Sequence, residues 1–390
     1  MADYDNQSSQ SANLIGSNDD LLTEILRWLP VISILRFKSV SKHWRSLLTH
    51  HLFTLLYNNG SISPGFFVRD LYIPFDVNNK STPPFSSLDF YPDARGIKVV
   101  QSCNGLLLCC SNKGNHRQYY VFNPTTKQSA IIPPVSGGQD VLSNIRFMVL
   151  AYHETECPHF KVICIHRIRP YDQRLYIQIY SSDTRKWKTI SNESFWASYY
   201  TPFSGGVYWN GAFHWAPSSI SPSYFKLDTE KLQHFPLPSP LPARVERFRC
   251  YTDGARPLYF GESRGHLHLV DTAHHENHLH LNVYEMLSDH SGWFVKYLVE
   301  LDDLVTAYPK LIHIYQQPSR PQYYEYEVLD VVRGDKEEDT FMVVKISKKV
   351  IRYDILDKSF EQIHDLTDTV HGNIGPWDVH RYTKTLASFQ

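Results

Sequence analysis

The amino-acid sequence predicts a mainly β protein, in which a small N-terminal helical module precedes a β-propeller of six to eight blades. Three observations support this prediction. Amphipathic helical patterns occur within residues 17–57, and no convincing one follows them. A two-part strand signal recurs along the rest of the chain. Aromatic residues make up 14% of the sequence, with 25 tyrosines, an enrichment typical of β structure.

The composition is that of a globular chain without strong charge. Its 390 residues suffice for one large domain plus an appendage, or for two domains, and the net charge is −1. Because acidic and basic residues are interspersed, we expect no binding to nucleic acid or to a membrane. No apolar run reaches the roughly 18 residues that a membrane span needs. The six cysteines lie in apolar strand-like runs, as reduced core thiols do, so we expect a nuclear or cytoplasmic protein that is not secreted.

Residues 17–57 are predicted to form the helical module. Ser17 with Asp20 predicts a capped first helix that stops at Pro30. Two further helices are predicted after the capping residues Ser33 and Ser41. The module has more large apolar side chains than three helices of this size need, so we expect some of them to face a partner.

The module resembles the F-box, the adaptor-binding unit of SCF-type ubiquitin ligases. The resemblance rests on LLTEILRWLP at 21–30 and ILRFKSVSKHWRSLL at 34–48, and residues 40–47 resemble the plant version most closely. It implies a Skp-type adaptor as partner and, through it, a cullin. The adaptor-binding residues that it implies are Leu22, Ile25, Leu26, Leu29, Pro30, Leu35 and Trp44.

The chain departs from the family pattern at two places. Family members usually carry Leu-Pro where this chain has Ser17-Asn18, and often a lysine where it has Ile32. Because the Leu-Pro lies at the adaptor contact, the sequence leaves open whether this chain binds an adaptor more weakly. An ordinary helical cap on the following domain is the alternative to an F-box.

A two-part unit recurs after the helical module. Its first part is a strand opened by a polar residue and glycine, as in Asn104-Gly105, Asn210-Gly211 and Arg264-Gly265. Its second part is a strand that ends in an aromatic residue before a polar turn, at Phe122, Tyr180, Phe225, Tyr284 and Tyr353. These aromatic residues lie about 45–70 residues apart, close to the length of a propeller blade, whereas a pair of β-sandwiches is the alternative.

A propeller also requires that its first and last strands meet, since only closure removes exposed sheet edges. Candidates for the last strand lie at residues 351–353 and 370–382. We therefore expect the C-terminal part of the chain to be essential for a closed domain.

This part of the chain is similar to the plant F-box-associated domain. The similarity covers most of residues 95–300 and is carried in order by residues 102–107, 122–126, 160–163, 179–182 and 207–215. That family looks kelch-like and recruits substrates, so the similarity implies a kelch-like β-propeller.

Three segments are predicted from these patterns. Residues 1–16, rich in Ser, Asn, Gln and Asp, are expected to be a disordered tail. Residues 17–57 are the F-box helical module, and residues 62–388 are the F-box-associated β-propeller.

No strong catalytic or metal-binding motif is present. The sequence has no phosphate-binding glycine loop, no GxSxG and no HExxH. On strands, His266 and His268, or His278 and His280, share a face and can supply two metal ligands each. No CxxC accompanies them, and residues 274–280 are explained more simply as a loop joining two strands. We expect neither a metal nor a cofactor.

The predicted function is that of a non-catalytic substrate-recognition subunit of an SCF-type ubiquitin ligase. It would link a propeller-bound protein of unknown identity to the Skp adaptor and the cullin scaffold. A propeller enzyme or a carbohydrate-binding lectin, with the helices as a structural cap, is the alternative.

Two aromatic stretches between strands, residues 195–203 and 315–326, are candidates for the surface that binds the target. They lack the alternation of a strand buried on one face, and Trp, Tyr and Arg are the residues that interfaces favour. Packing of these rings between blades is the alternative. The candidate residues are Trp196, Tyr199, Tyr200, Arg320 and Tyr323.

Overall fold

A helical module followed by a six-bladed β-propeller makes up the described part of the chain. The computed structural model describes residues 14–58, 64–76, 87–88, 96–111, 117–137, 144–169, 174–196, 206–215, 222–238, 257–273, 279–309, 312–313, 323–324, 326–370, 374–375 and 378–389. The first thirteen residues of the predicted disordered tail lie outside these ranges, and residues 14–16 form a helical turn.

Within the described ranges, four short helices follow the turn at residues 14–16 in the N-terminal module, and a fifth lies in the propeller domain. They are α1 Asp19–Leu26, α2 Val31–Phe37, α3 Lys42–Thr49, α4 His51–Asn58 and α5 Asp302–Ala307.

The propeller consists of six antiparallel sheets, and five of them are four-stranded meanders in chain order. The first blade contains β1 Gly65–Val68 and β2 Leu71–Pro74. The second blade contains β3 Ile97–Cys103, β4 Leu106–Ser111, β5 Tyr119–Asn123 and β6 Gln128–Ile132. The third blade contains β7 Ile145–His153, β8 Cys157–His166, β9 Arg174–Ser181 and β10 Lys186–Trp196. The fourth blade contains β11 Val207–Trp209, β12 Ala212–His214, β13 Ser223–Lys226 and β14 Lys231–His234. The fifth blade contains β15 Tyr259–Ser263, β16 His266–Thr272, β17 His280–Met286 and β18 Trp293–Glu300. A short hairpin of β19 Ile312–His313 and β20 Tyr323–Tyr324 precedes the sixth blade, which contains β21 Tyr326–Val332, β22 Phe341–Ile346, β23 Lys349–Asp354 and β24 Phe360–Asp365.

The six blades confirm the propeller prediction at the lower end of the predicted range and exclude the β-sandwich pair. The two-part sequence unit corresponds to two tight turns of the second, fourth and fifth blades, and the third and sixth blades carry its second part. The polar-glycine pairs form the turn between the first and second strands, and the polar turns after the aromatic residues join the third and fourth strands. In an antiparallel meander both turns lie at the same end of the blade. We call this end of the propeller the hairpin face, and the other end, where the remaining connections lie, the opposite face.

The last strand of the chain completes the first blade. β25, Val379–Tyr382, pairs antiparallel with β1, from Gly65 opposite Tyr382 to Val68 opposite Val379. It lies at the inner edge of its sheet, next to the inner strand β3 of the second blade. The predicted C-terminal candidate at 370–382 therefore contains the closing strand.

An arginine on the closing strand, with its side chain 16% exposed, joins three blades at the centre of the ring. Arg381 forms an ion pair with Asp330 of β21, with its Nε 3.0 Å from the carboxylate, and it donates to the Glu262 carbonyl of β15 at 2.8 Å. Tyr259 donates its hydroxyl to the same Asp330 at 2.8 Å. Burial alone would lower the pKa of Arg381, but the neighbouring charge of Asp330 raises it above its ordinary value. The closing strand is thus joined to its neighbours by charge pairing as well as by strand pairing.

Apolar cores fill the spaces between neighbouring blades. One cluster spans the second to fourth blades, one the fifth and sixth, and smaller ones join the first blade to each neighbour and the fourth blade to the fifth. The five cysteines in the described ranges are buried without disulfides.

Candidate functional site

Helix α1 of the module is capped by an asparagine side chain. Asn18 Oδ1 accepts hydrogen bonds from the backbone N–H groups of Asp20 and Leu21, both at 3.1 Å. The predicted cap, Ser17, instead donates its hydroxyl to the Leu14 carbonyl at 3.2 Å. The helix thus begins one residue later than predicted, because the asparagine side chain reaches both N–H groups.

The next two helices differ in how they begin. α2 begins at Val31, directly after Pro30 and three residues earlier than a helix capped by Ser33 would begin; Pro30 occupies the N-cap position, and no side chain caps the helix. Ser41 caps α3 as predicted, with its hydroxyl oxygen accepting from the Trp44 N–H at 3.0 Å.

The four helices enclose a small apolar core. Helix α4 is tied to the end of α1 by the Tyr57 hydroxyl, which donates to the Leu29 carbonyl at 3.1 Å. Burial raises the pKa of Tyr57 to about 12. The core residues contributed by the module are Leu22, Leu26, Val31, Ile34, Leu48 and Phe53.

Helix α1 and the turn after it carry two apolar stripes, offset by one residue. The inner stripe, Leu22, Leu26 and Leu29, packs into the module's core. The outer stripe consists of Leu21, Ile25 and Trp28, which are 48%, 50% and 76% exposed. Residues at i, i+4 and i+7 share a helix face, so these three side chains form one exposed apolar surface, which we call the outer stripe. A surface of this kind on a domain with its own core indicates a protein-binding site.

The predicted adaptor residues fall into three groups in the structure. Leu22 and Leu26 are 3% and 2% exposed, within the module's own core. Ile25 and Pro30 are exposed. Leu29, Leu35 and Trp44 are partly buried against the core.

Sequence reasoning did not include two of the three residues of the outer stripe, Leu21 and Trp28. The signal was available, because the segment is apolar at 21/25/28 as well as at 22/26/29. A helix that is apolar on two faces buries one of them in its own domain and offers the other to a partner. The adaptor prediction combined residues of both stripes.

Two of the five candidate target-binding residues lie within the described part of the chain. Trp196 is the last residue of β10, paired with Arg174, and Tyr323 lies in β20, paired with His313. Tyr199, Tyr200 and Arg320 lie outside the described residues. Because a fourth strand ends where the chain passes to the next blade, Trp196 lies at the opposite face.

Comparison with known proteins agrees with this architecture. Residues 18–56 match the F-box domain, and residues 71–250 match the F-box associated beta propeller domain. F-box protein At5g07610 of Arabidopsis thaliana is 32% identical over 97% of this chain and 92% of its own length. The chain belongs to the F-box protein family. F-box protein At5g49610 of the same plant is 29% identical over 65% of this chain and 71% of its own.

The structure of the uncharacterized protein lmo1340 from Listeria monocytogenes EGD-e aligns with 76% of this chain and with 97% of the lmo1340 chain. The TM-score of this alignment is 0.37, at 11% sequence identity.

An F-box followed by a propeller, with F-box protein relatives, supports a general role in substrate recognition within SCF-type complexes. The F-box implies binding to a Skp-type adaptor. Among the helices in the described ranges, none has the length and apolar character needed to cross a membrane.

The histidines that sequence analysis considered as metal ligands surround a carboxylate. His266 Nδ1 lies 2.8 Å from Glu285 Oε1, and His268 Nε2 lies 3.7 Å from Oε2. Arg333 donates to the same Oε2 at 2.7 Å. Burial alone would raise the pKa of Glu285, but the two histidines and the arginine lower it well below its usual range. Within the described residues, no three His, Cys, Asp or Glu side chains are arranged to hold a metal ion.

Of the other candidate histidines, His280 begins β17, where its Nε2 lies 3.0 Å from Asp302 Oδ2. β16 ends at Thr272 and β17 begins at His280, so the sequence between them joins two strands of the fifth blade, as predicted. His274, His275 and His278 lie outside the described residues.

A different pair of histidines joins the fourth and fifth blades. His214 Nε2 and His290 Nε2 are 2.8 Å apart, their rings are parallel within 5°, and the Tyr224 ring stacks on His290 at 4.2 Å. One nitrogen must donate and the other accept, so the contact suits two neutral rings. Burial, followed by repulsion from His290, lowers the pKa of His214 to about 3. Burial, followed by the charge of Lys226, lowers the pKa of His290.

Acid should therefore destabilise the propeller. Burial, followed by the charge of Lys98, lowers the pKa of His380 on the closing strand to about 4. The unfolded chain binds protons at His214 and His380 from about pH 6.5 downward, whereas the folded chain does not, so stability falls as the pH falls toward 4. At pH 5, each of the two groups costs about 2 kcal/mol of the free energy of unfolding.

Urea unfolding at pH 7.5 and pH 5.0 measures this loss. His380→Gln should reduce the difference between the two pH values by about 2 kcal/mol. His234→Gln, a change at an exposed histidine, should leave the difference in unfolding free energy between the two pH values as in wild type. Equal unfolding free energies at the two pH values in the wild type would contradict the expectation.

Proposed function

We propose that this F-box protein is a non-catalytic substrate receptor that links a target protein, bound by the propeller, to a Skp-type adaptor and through it to a cullin. The observation that carries the proposal is the outer stripe, which leaves Leu21, Ile25 and Trp28 exposed on a module whose core is filled by other residues. Burying each of these side chains contributes about 1.5–3 kcal/mol before the cost of association. Tryptophan is also among the residues that most often dominate binding energy.

The chain acts by proximity in this proposal. Residues of the tail after β25 contact both the F-box and the turns of the second and third blades, so the F-box lies at the hairpin face. The fourth strands of the third and fifth blades, which precede the candidate stretches in the chain, end at the opposite face. A target bound there and an adaptor bound at the outer stripe do not compete for surface. Joining both to one chain raises the effective concentration of the target near the ligase machinery.

The target surface in this proposal includes the two aromatic stretches at 195–203 and 315–326. Trp196, Tyr199, Tyr200, Arg320 and Tyr323 supply the aromatic and arginine side chains that protein interfaces favour. The first stretch begins in β10 of the third blade, and the second ends in β21 of the sixth blade.

Reciprocal purification from the native tissue, with proteolysis of targets blocked, tests both parts. Ile25→Asp places a charge in the outer stripe without disturbing the core, so adaptor recovery should fall at least about 100-fold while target recovery remains. The combined change Trp196→Ala and Tyr200→Ala should lower target recovery while adaptor recovery remains.

Ile131→Asp is the matched control for the adaptor. Ile131 is 67% exposed on β6 of the propeller, so the same change there should leave adaptor recovery unchanged. Equal recovery of the adaptor by wild type and Ile25→Asp would reject the adaptor surface. Unchanged target recovery by the Trp196 and Tyr200 double variant would place the target elsewhere.

A further inference from the structure

The F-box core contains a residue from the far end of the chain. Leu386 is 1% exposed and belongs to the same buried cluster as Leu22, Leu26 and Leu48. It is one of seven buried residues in that cluster, and the other six come from the helical module. In a domain this small, each buried leucine is a large share of the core.

The segment that carries Leu386 is anchored to the propeller on both of its sides. We call residues 383–389 the C-terminal tail. Asn123, fully buried at the end of β5, donates from its amide nitrogen to the Thr385 carbonyl at 3.1 Å and to the Ala387 carbonyl at 2.7 Å. Farther along, the Phe389 ring meets the Phe160 ring edge-on at 5.7 Å.

Three turns of the hairpin face contact the tail. The Thr125 hydroxyl accepts from the Thr385 N–H at 3.3 Å, and the Thr385 hydroxyl donates to Glu154 at 3.2 Å. Gly105 lies directly against the tail, since a Cβ added at this glycine would lie 2.5 Å from the Thr383 carbonyl oxygen. The sequence motifs Asn104-Gly105 and 122–126 thus do more than form turns, because both contact the tail.

The tail is also continuous with the strand that closes the propeller. Tyr382, the last residue of β25, pairs with Gly65 of β1, and its hydroxyl is 3.0 Å from the Thr125 hydroxyl. Leu386 follows four residues later. The position of Leu386 in the F-box is therefore set by a strand that is in place only when the ring is closed.

We propose that the C-terminal tail couples the two domains, so that a closed propeller completes the F-box core and makes the adaptor-binding surface rigid. A chain whose propeller has not closed cannot place Leu386 in the core. In such a chain, helix α1, which carries most of the outer stripe, is loosened. The chain therefore binds an adaptor poorly. Recruitment to the ligase is thereby restricted to chains with an intact receptor. The part of this inference that concerns the adaptor rests on the proposed function.

Two glycine-to-alanine variants of the full chain test the coupling. Gly105→Ala inserts a methyl group where the tail lies, whereas Gly265→Ala inserts one where nothing lies within 4 Å. Both glycines occupy the same turn position with positive φ, +87° and +78°, so the two changes carry a similar backbone cost. Gly105→Ala should raise hydrogen exchange of the amides in α1 to α4 at least about tenfold and weaken binding of purified adaptor by a similar factor. Gly265→Ala should do neither.

A second pair of variants leaves the propeller's buried core untouched. Leu386→Ala removes the side chain from the F-box core, and Leu298→Ala makes the same change at a position that is 69% exposed on β18. Leu386→Ala should loosen α1 to α4 at least about tenfold while the amides of β3 and β21 keep their protection. Leu298→Ala should match the wild type.

The exchange measurement separates this inference from the proposed function. If wild-type protein does not bind the adaptor, the proposed function fails, and the exchange of α1 to α4 still decides whether the tail completes the core. If α1 to α4 exchange as in wild type in both Gly105→Ala and Leu386→Ala, the coupling is rejected. Loosened helices with unchanged adaptor affinity would also reject it.

Discussion

Deleting residues 379–390 should turn the propeller from a cooperatively unfolding monomer into an aggregating chain. The deletion removes β25, and with it the inner strand of the first blade and the partner of every residue of β1. It also exposes apolar surface, because Tyr382 is 1% exposed and packs at 5.9 Å from the Phe67 ring. A long strand edge beside exposed apolar side chains is a template for association between chains.

Size-exclusion chromatography and calorimetry measure this effect. The matched control is a chain that ends at Tyr382, since it keeps β25 and loses only the C-terminal tail. That chain should remain monomeric and melt cooperatively in its propeller, with loosened F-box helices. A soluble, cooperatively melting chain that ends at Asp378 would show that ring closure contributes little to stability.

The repeated elements of this fold were predictable from sequence because their signals are local. A polar-glycine pair requires backbone with positive φ, and Asn104 and Gly105 adopt φ values of 44° and 87° in the turn between β3 and β4. The aromatic residue before each polar turn also marks a strand end correctly. The number of blades was harder to fix, because the outer strands vary from four residues in β14 to eleven in β10.

The contacts that join distant parts of the chain left no such local signal. Leu386 lies in an ordinary sequence, Thr-Leu-Ala-Ser, and nothing in it indicates a place in a helical core formed more than 300 residues earlier. The pairing of His214 with His290 likewise depends on the packing of two neighbouring blades. In the F-box, by contrast, the two apolar stripes of α1 were visible in sequence, and only burial could assign one to the core and one to the surface.

Replacing Arg381 by methionine should cost about 3–5 kcal/mol of the free energy of unfolding. The change leaves the Asp330 carboxylate, whose side chain is 6% exposed, without its cationic partner in the centre of the ring. It also removes the hydrogen bonds from Arg381 to the carbonyls of Glu262 and Val331, which tie the first blade to the fifth and sixth. An unpaired buried charge is costly because the protein interior does not replace its hydration.

A second substitution tests whether the buried charge is the cause. Asp330→Asn in the Arg381→Met background removes the unpaired charge and keeps an oxygen that accepts from the Tyr259 hydroxyl. It should therefore recover a large part of the lost stability in urea unfolding. Lys188→Met, which breaks a surface pair with Glu230 at 2.7 Å, should change stability little, since exposed pairs contribute little. If Arg381→Met costs no more than Lys188→Met, the central ion pair does not hold the ring closed, and strand pairing by β25 alone accounts for closure.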